Sequence, residues 1–172
     1  MSQRAVGKMM AGFFRADDDA APVPGAKILV VAARFNSNIV SMLREGALAA
    51  LERQRALATV IEVPGALEIA SAASIALHVA QEAGAPYEGV VALGCVIRGE
   101  TYHFEIVANE SARALTDLSV AKRLPLGNGI LTVENEQQAI VRADPKQGDK
   151  GADAALAALA LVRLSRKLGA RA

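Results

Sequence analysis

Four times along this 172-residue chain, a run of strand length gives way to a segment with helical spacing. Lys27 to Ala33 (KILVVAA) leads into Asn36 to Gln54, where Ile39, Leu43, Leu48 and Leu51 share a helical face. Ala58 to Val63 leads into Ala66 to Ala83, Gly89 to Ile97 (GVVALGCVI) into His103 to Leu124, and Gly129 to Val133 into Asn135 to Arg142. Strands that alternate with helices lie parallel, and continuous apolar runs are strands covered on both faces. The pattern therefore predicts a three-layer α/β/α sandwich around a four-stranded parallel sheet, with a last helix from about Gly151 to Leu168.

The length suits one domain, since about 100 to 200 residues per domain is usual. Residues 27–172 would form it, because residues 1–26, ending in DDDAAPVPG, carry no period and read as a flexible N-terminal arm outside the core. Hydrophobic residues make up 52% of the chain but aromatic residues only 3%, so Ala, Val, Leu and Ile must supply the packing and the helices must sit close. Two segments carry that trend too far for a monomer. In ADAALAALALVRLSRKLGA and SAASIALHVA, Ala and Leu occupy nearly every helical angle. A helix that is apolar all round is buried all round, so a homo-oligomer is expected.

Several classes of function are disfavoured. A formal charge of +1, without basic residues interleaved with aromatics, argues against a nucleic-acid partner. Met1 to Arg15 lacks a secretory apolar core, and Glu68, Asp153 and Arg163 interrupt the Ala-rich stretches short of the ~18 to 20 residues of a membrane span. The single cysteine, Cys95, makes no internal disulfide and sits in an apolar run, so a buried, inert thiol and a cytoplasmic protein are expected. With no G-x-G-x-x-G after the first strand, no P-loop and no His or Cys pair at ligand spacing, no nucleotide cofactor and no metal are expected.

The carboxyl ends of parallel strands open on one edge, where open α/β sheets hold ligands, and the unusual residues fall there. After the first strand come Arg34, Phe35 and Asn36; the Phe35 ring either staples onto the next helix or offers a face to a planar ligand. After the second, Pro64 and Gly65 form a turn before Glu68, which either answers the helix dipole or accepts hydrogen bonds from substrate hydroxyls. After the third, ALGCVIRGETYHFE places Gly99 and the amides of Glu100 and Thr101 at a helix start, a pocket suited to phosphate. His103 follows in the first turn, placed to move protons. His78, among apolar neighbours, reads as structural.

RFN at Arg34 to Asn36, VPGALEIA at Val63 to Ala70, ALGCVIRGETYHFE at Ala92 to Glu105, GILTVENEQQAIVRA and GDKGADAA, taken in order, closely resemble the lumazine synthase family. The likeness runs from about Lys27 to Ala170. It implies a flavodoxin-like fold and the condensation of 5-amino-6-(D-ribitylamino)uracil with 3,4-dihydroxy-2-butanone 4-phosphate, giving 6,7-dimethyl-8-ribityllumazine, the penultimate step of riboflavin biosynthesis. By the same resemblance, Phe35 would lie against the uracil ring, Ala66, Leu67 and Glu68 would hold the ribityl chain, and Cys95, Val96 and Ile97 would meet the pyrimidine through their backbone. Glu100, Thr101 and Arg142 would bind the butanone phosphate, and His103 would be the proton donor, assisted by Lys150 and Asp153. No cofactor is implied. Three positions depart from the common pattern: Asn128 stands where an aromatic or aliphatic residue often packs beside the uracil, Ala70 replaces a frequent Pro, and Asp153 a frequent Glu. The family assembles as pentamers, some of which build cages, with active sites between subunits. Asn128, Arg142 and Lys150 would then come from the neighbour of the subunit that supplies Phe35 and His103.

Overall fold

Along the first strand, Ile28, Val30 and Ala32 join one buried cluster while Leu29, Val31 and Ala33 join another, the period-two signature of a strand covered on both sides. The structure, a computed structural model, describes residues 21–169. Its elements are β1 (Lys27–Ala33), α1 (Ser37–Arg53), β2 (Leu57–Val63), α2 (Ala66–Glu82), β3 (Gly89–Ile97), α3 (His103–Lys122), β4 (Leu126–Val133), α4 (Glu136–Ala143) and α5 (Lys150–Lys167). The sheet is parallel throughout, in the order β2-β1-β3-β4. Helices α1, α4 and α5 cover one face and α2 and α3 the other, which makes the three-layer sandwich. Because the chain leaves β1 toward β2 and later returns to β3 on the other side, the carboxyl ends of β1 and β3 flank a topological switch point.

β4 begins at Leu126, three residues before the start expected at Gly129. Leu126, Gly127 and Asn128, outside the expected strand, pair with Val90, Val91 and Ala92 in the ladder. The glycine at 127 answers a close approach: a Cβ there would lie 1.8 Å from the carbonyl oxygen of Ala154 on α5. The segment read as an arm is outside the described residues up to residue 20. Of the remainder, Val23 and Ala26 are buried in the core, and the N–H groups of Val23 and Gly25 donate to the carbonyls of Gln54 and Arg55, both at 2.9 Å.

Within one chain, the Ala-rich helices are not buried all round. α5 packs Ala154, Ala155, Ala158, Leu159 and Val162 inward but leaves Leu156, Leu161 and Leu164 partly in solvent. α2 buries only Ala66, Ile69 and Ala73, and Ile75 and Val79 are 66% and 59% exposed. His78, on the same helix, is exposed rather than packed in the core. Among the described residues no helix is long and apolar enough to cross a membrane.

Candidate active site

A cavity of about 550 Å³ opens at the carboxyl ends of β1, β2 and β3, beside the switch point. The loop after β1 is strapped to the loop after β2: Arg34 N–H donates to the Val63 carbonyl at 2.8 Å and Phe35 N–H to that of Pro64 at 3.0 Å. The Phe35 ring is 70% exposed at the cavity, so it does not staple onto α1 and leaves a face free for stacking. Asn36 adopts a left-handed conformation (φ 56°) and does not cap α1 with its side chain. Its Nδ2 instead donates to the carbonyl of Cys95 at 2.9 Å, pinning the β1–α1 loop to the end of β3.

β3 outruns β1, whose ladder stops at Ala32 and Leu93, while pairing with β4 continues to Ile97 and Val133. Main-chain groups two residues apart point the same way. The N–H and C=O of Ile97 thus share the direction of the Cys95 carbonyl, toward the cavity rather than toward β4. The Cys95 thiol lies on the other face, buried in the α1, α4 and α5 cluster, and desolvation pushes its pKa up to about 11.

From the first turn of α2, Ala66, Leu67 and Glu68 line the wall. Both sequence readings of Glu68 find an atom: Oε2 accepts from Gly65 N–H at 2.9 Å and caps α2, while no partner for Oε1 is found among the described residues. From the end of β3 Val96 and Ile97, from the loop after it Gly99 and Thr101, and from the start of α3 His103 reach the cavity, and Thr101 Oγ1 accepts the His103 N–H at 3.4 Å. Glu100 lies between the lining residues Gly99 and Thr101, with its side chain in solvent. Pro64, Phe104 and Val107 also line the site. Val107 was legible in principle, since it stands four residues after His103 on one helical face.

Arg98 is not among the residues that line the cavity. Its Nε donates to Glu134 Oε2 at 2.7 Å, its Nη1 to Glu105, and its guanidinium lies 4.2 Å from the centre of the Phe104 ring. These contacts hold the Arg98 pKa above the usual arginine value, the Glu134 hydrogen bond contributing most. They also leave the cavity lining, among the described residues, with no lysine or arginine. Asn128, Arg142, Lys150 and Asp153 stay outside the cavity of their own chain. Asn128 Oδ1 accepts from Ile130 N–H at 3.0 Å, Arg142 Nη1 donates to the Gln138 carbonyl at 3.0 Å, and Lys150 pairs with Asp153 at 2.6 Å.

A hollow of about 620 Å³ opens on the opposite edge of the sheet, lined by Leu77, His78, Glu88, Lys122, Arg123 and Arg166 among others. The C-terminal ends of α2, α3 and α5 converge there, and cations are favoured beside such ends without any ligand. The strand-carboxyl cavity is the one that combines an open ring, a free carboxylate oxygen, loop amides and a histidine.

The family model for 6,7-dimethyl-8-ribityllumazine synthase matches residues 25–166. The chain belongs to that family. It is similar to 6,7-dimethyl-8-ribityllumazine synthase of Methylocella silvestris, 64% identical over 146 residues that cover 85% of this chain and 89% of the relative. The synthase of Azorhizobium caulinodans is 61% identical over 146 residues, 85% of this chain and 90% of the relative. 6,7-Dimethyl-8-ribityllumazine synthase 1 of Rhizobium meliloti is 55% identical over 150 residues, 87% and 98% of the two chains. The family is one of enzymes, and the cavity lies wholly within the matched span.

Proposed function

We propose that this cavity condenses 5-amino-6-(D-ribitylamino)uracil with 3,4-dihydroxy-2-butanone 4-phosphate to give 6,7-dimethyl-8-ribityllumazine. Family membership with relatives 52–64% identical supports the reaction. The single observation that supports the site assignment is that one cavity is lined both by the exposed Phe35 ring and by the Gly99–His103 segment at the start of α3. Phe35 offers a ring face and the Ile97 backbone offers a donor and an acceptor at the edge of a uracil, while Glu68 Oε1 is free to accept from ribityl hydroxyls. The amides of Glu100 and Thr101 and the Thr101 hydroxyl would form the anion end, with His103 in the same lining.

In this reading the amine of the uracil attacks the butanone ketone, a Schiff base forms with loss of water, phosphate leaves, and ring closure expels a second water. His103 donates and recovers protons along that path. Holding two reactants in register is worth ~7 to 11 kcal/mol in well-oriented cases, against ~10² to 10⁴-fold for a proton carrier, so positioning dominates.

Among the described residues of its own chain the phosphate half has no lysine or arginine, because Arg98 is held by two carboxylates and His103 is the one basic side chain in the lining. A doubly charged phosphate calls for a guanidinium, and Arg142, whose Nη1 alone is engaged by a carbonyl, is the residue assigned to it, from an adjoining copy. Asn128 and Lys150 would arrive with it. Since Asn128 Oδ1 is turned back to Ile130 N–H, its amide nitrogen is the group left to donate to a uracil carbonyl. The exposed Ile75 and Val79 of α2 fit the same assembly, a pentamer in the cytoplasm, with cages of pentamers as its larger form. Mixing the protein with both substrates and following lumazine formation optically, against a control without protein, tests the activity. Acceleration is expected, and none would refute it.

A further inference from the structure

We propose that Arg98 is a positioning residue for the phosphate half of the cavity, fixing the Gly99–Tyr102 loop and the first turn of α3 without touching substrate. The inference rests on the activity reading above. α3 starts with little of its own to hold it: Tyr102, at the N-cap, makes no side-chain cap hydrogen bond, and the Thr101–His103 contact of 3.4 Å is at the long limit for a hydrogen bond. Arg98 supplies what is missing. It leaves the end of β3 and reaches over the loop to Glu105 in the first turn of α3, so residues 98 and 105 close a ring around the segment that contains Thr101 and His103.

The same guanidinium fastens that ring to the rest of the edge. Its Nε binds Glu134 in the loop after β4, whose own N–H donates to Gln138 Oε1 on α4 at 3.0 Å, and Arg98 N–H donates to the Val133 carbonyl at 2.9 Å. Its plane covers Phe104, which lines the cavity beside His103. The three charged side chains are 31–58% exposed, and exposed pairs of this kind add little to stability. What the arrangement supplies is geometry: one flat, forked group holds two carboxylates and a ring in fixed relation. A displacement of 1 Å at a reacting group can cost as much as ~10²-fold in rate.

The test is steady-state kinetics of Arg98→Ala, Arg98→Lys and Glu134→Gln, each substrate varied in turn, with thermal unfolding in parallel. Arg98→Ala is expected to lower kcat/KM for the butanone phosphate by about 10-fold or more while KM for the ribitylaminouracil stays near wild type, because Phe35, Leu67 and Glu68 are untouched. Arg98→Lys should recover part of the loss, since an ammonium keeps the charge but not the fork, and Glu134→Gln should show the same selective loss at smaller size. The melting temperature of all three should stay within about 4 °C of wild type. Phosphate-substrate kinetics within about 3-fold of wild type in Arg98→Ala, or a KM for the ribitylaminouracil raised as much as that for the butanone phosphate, would overturn the proposal. A wild-type protein without activity would instead overturn the reading on which it rests.

Discussion

Gly151→Ala sets helix propensity against packing, and the structure fixes which wins. Gly151 lies in the first turn of α5, where alanine in place of glycine favours the helix by up to about 1 kcal/mol. A Cβ at this position, however, would meet Leu43 of α1 at 1.9 Å from its carbonyl oxygen, 2.7 Å from its carbonyl carbon and 2.9 Å from its Cα. All three are backbone atoms, so no rotamer change relieves them. With an ordinary C···O contact of about 3.3 Å, the two helices must part by about 1.4 Å. A gap of even ~0.5 to 1 Å forfeits a quarter to a half of each dispersion contact, and the seam between the helices is built from small buried residues, Ala47 and Ala50 on one side and Ala155 and Ala158 on the other. Overpacking of this kind costs about 3 kcal/mol, the top of its usual range, because the obstacle is rigid. The net expectation is a loss of about 2 kcal/mol, a fall in melting temperature of about 4 to 8 °C for a chain of this length. Urea unfolding at one fixed protein concentration reads the loss directly. Gly99→Ala is the control, since a Cβ there meets no atom within 4 Å, and its stability should stay within about 0.5 kcal/mol of wild type. A Gly151→Ala protein as stable as wild type, or more so, would refute the close approach of α1 and α5.

Three further outcomes are expected. If His103 and Arg142 enter each site from different subunits, His103→Ala and Arg142→Ala are each impaired alone, yet unfolding and co-refolding equal amounts in a closed ring should restore about one quarter of wild-type turnover; no recovery would place both groups in one subunit's site. The Cys95 thiol, raised to about 11 by burial, should resist iodoacetamide at pH 8 in the native protein and react once urea unfolds it, and rapid native labelling would contradict its placement. Glu88 is held below its usual carboxylate value chiefly by its hydrogen bond to Arg166, at 2.8 Å, so the pair's contribution is complete above pH 4.5 and disappears as pH falls through the folded value. For a partly exposed pair that contribution is about 0.5 to 1 kcal/mol, and Glu88→Gln should flatten the acid limb of a stability-versus-pH curve; an unchanged slope would show that the pair does not couple to folding.

What the sequence displayed, and what it hid, follows the reach of each physical cause. β1 and β3 are legible because their covering on both faces writes itself locally as unbroken apolar runs. The start of β4 is not, because Gly127 exists to admit Ala154, a residue 27 positions away, and a glycine placed for close approach looks the same as one placed for a turn. Phe35 shows the same limit in the site. Its neighbours permit either a staple or a stacking face, and the choice is made by the strap to Pro64, which only the parallel pairing of β1 with β2 brings near. Arg98 is the clearest instance: nothing beside it in sequence names its partner, because Glu134 stands 36 positions away, just after β4, and turns the guanidinium away from the cavity.

The hold on Arg98 bears on the second copy of the chain proposed for the site. Had Arg98 faced the cavity, one subunit would have carried a ring face, a histidine and a guanidinium together. With its guanidinium held between Glu105 and Glu134, the proposed phosphate half is short of positive charge among the described residues, as the uncovered Ile75 and Val79 of α2 are a deficit of apolar burial. The two deficits are independent, one electrostatic and one hydrophobic, and the proposed neighbour answers both. An assembly held by apolar helix faces alone would leave the phosphate unpaired, and a cation delivered without those faces would have nothing to hold it in place.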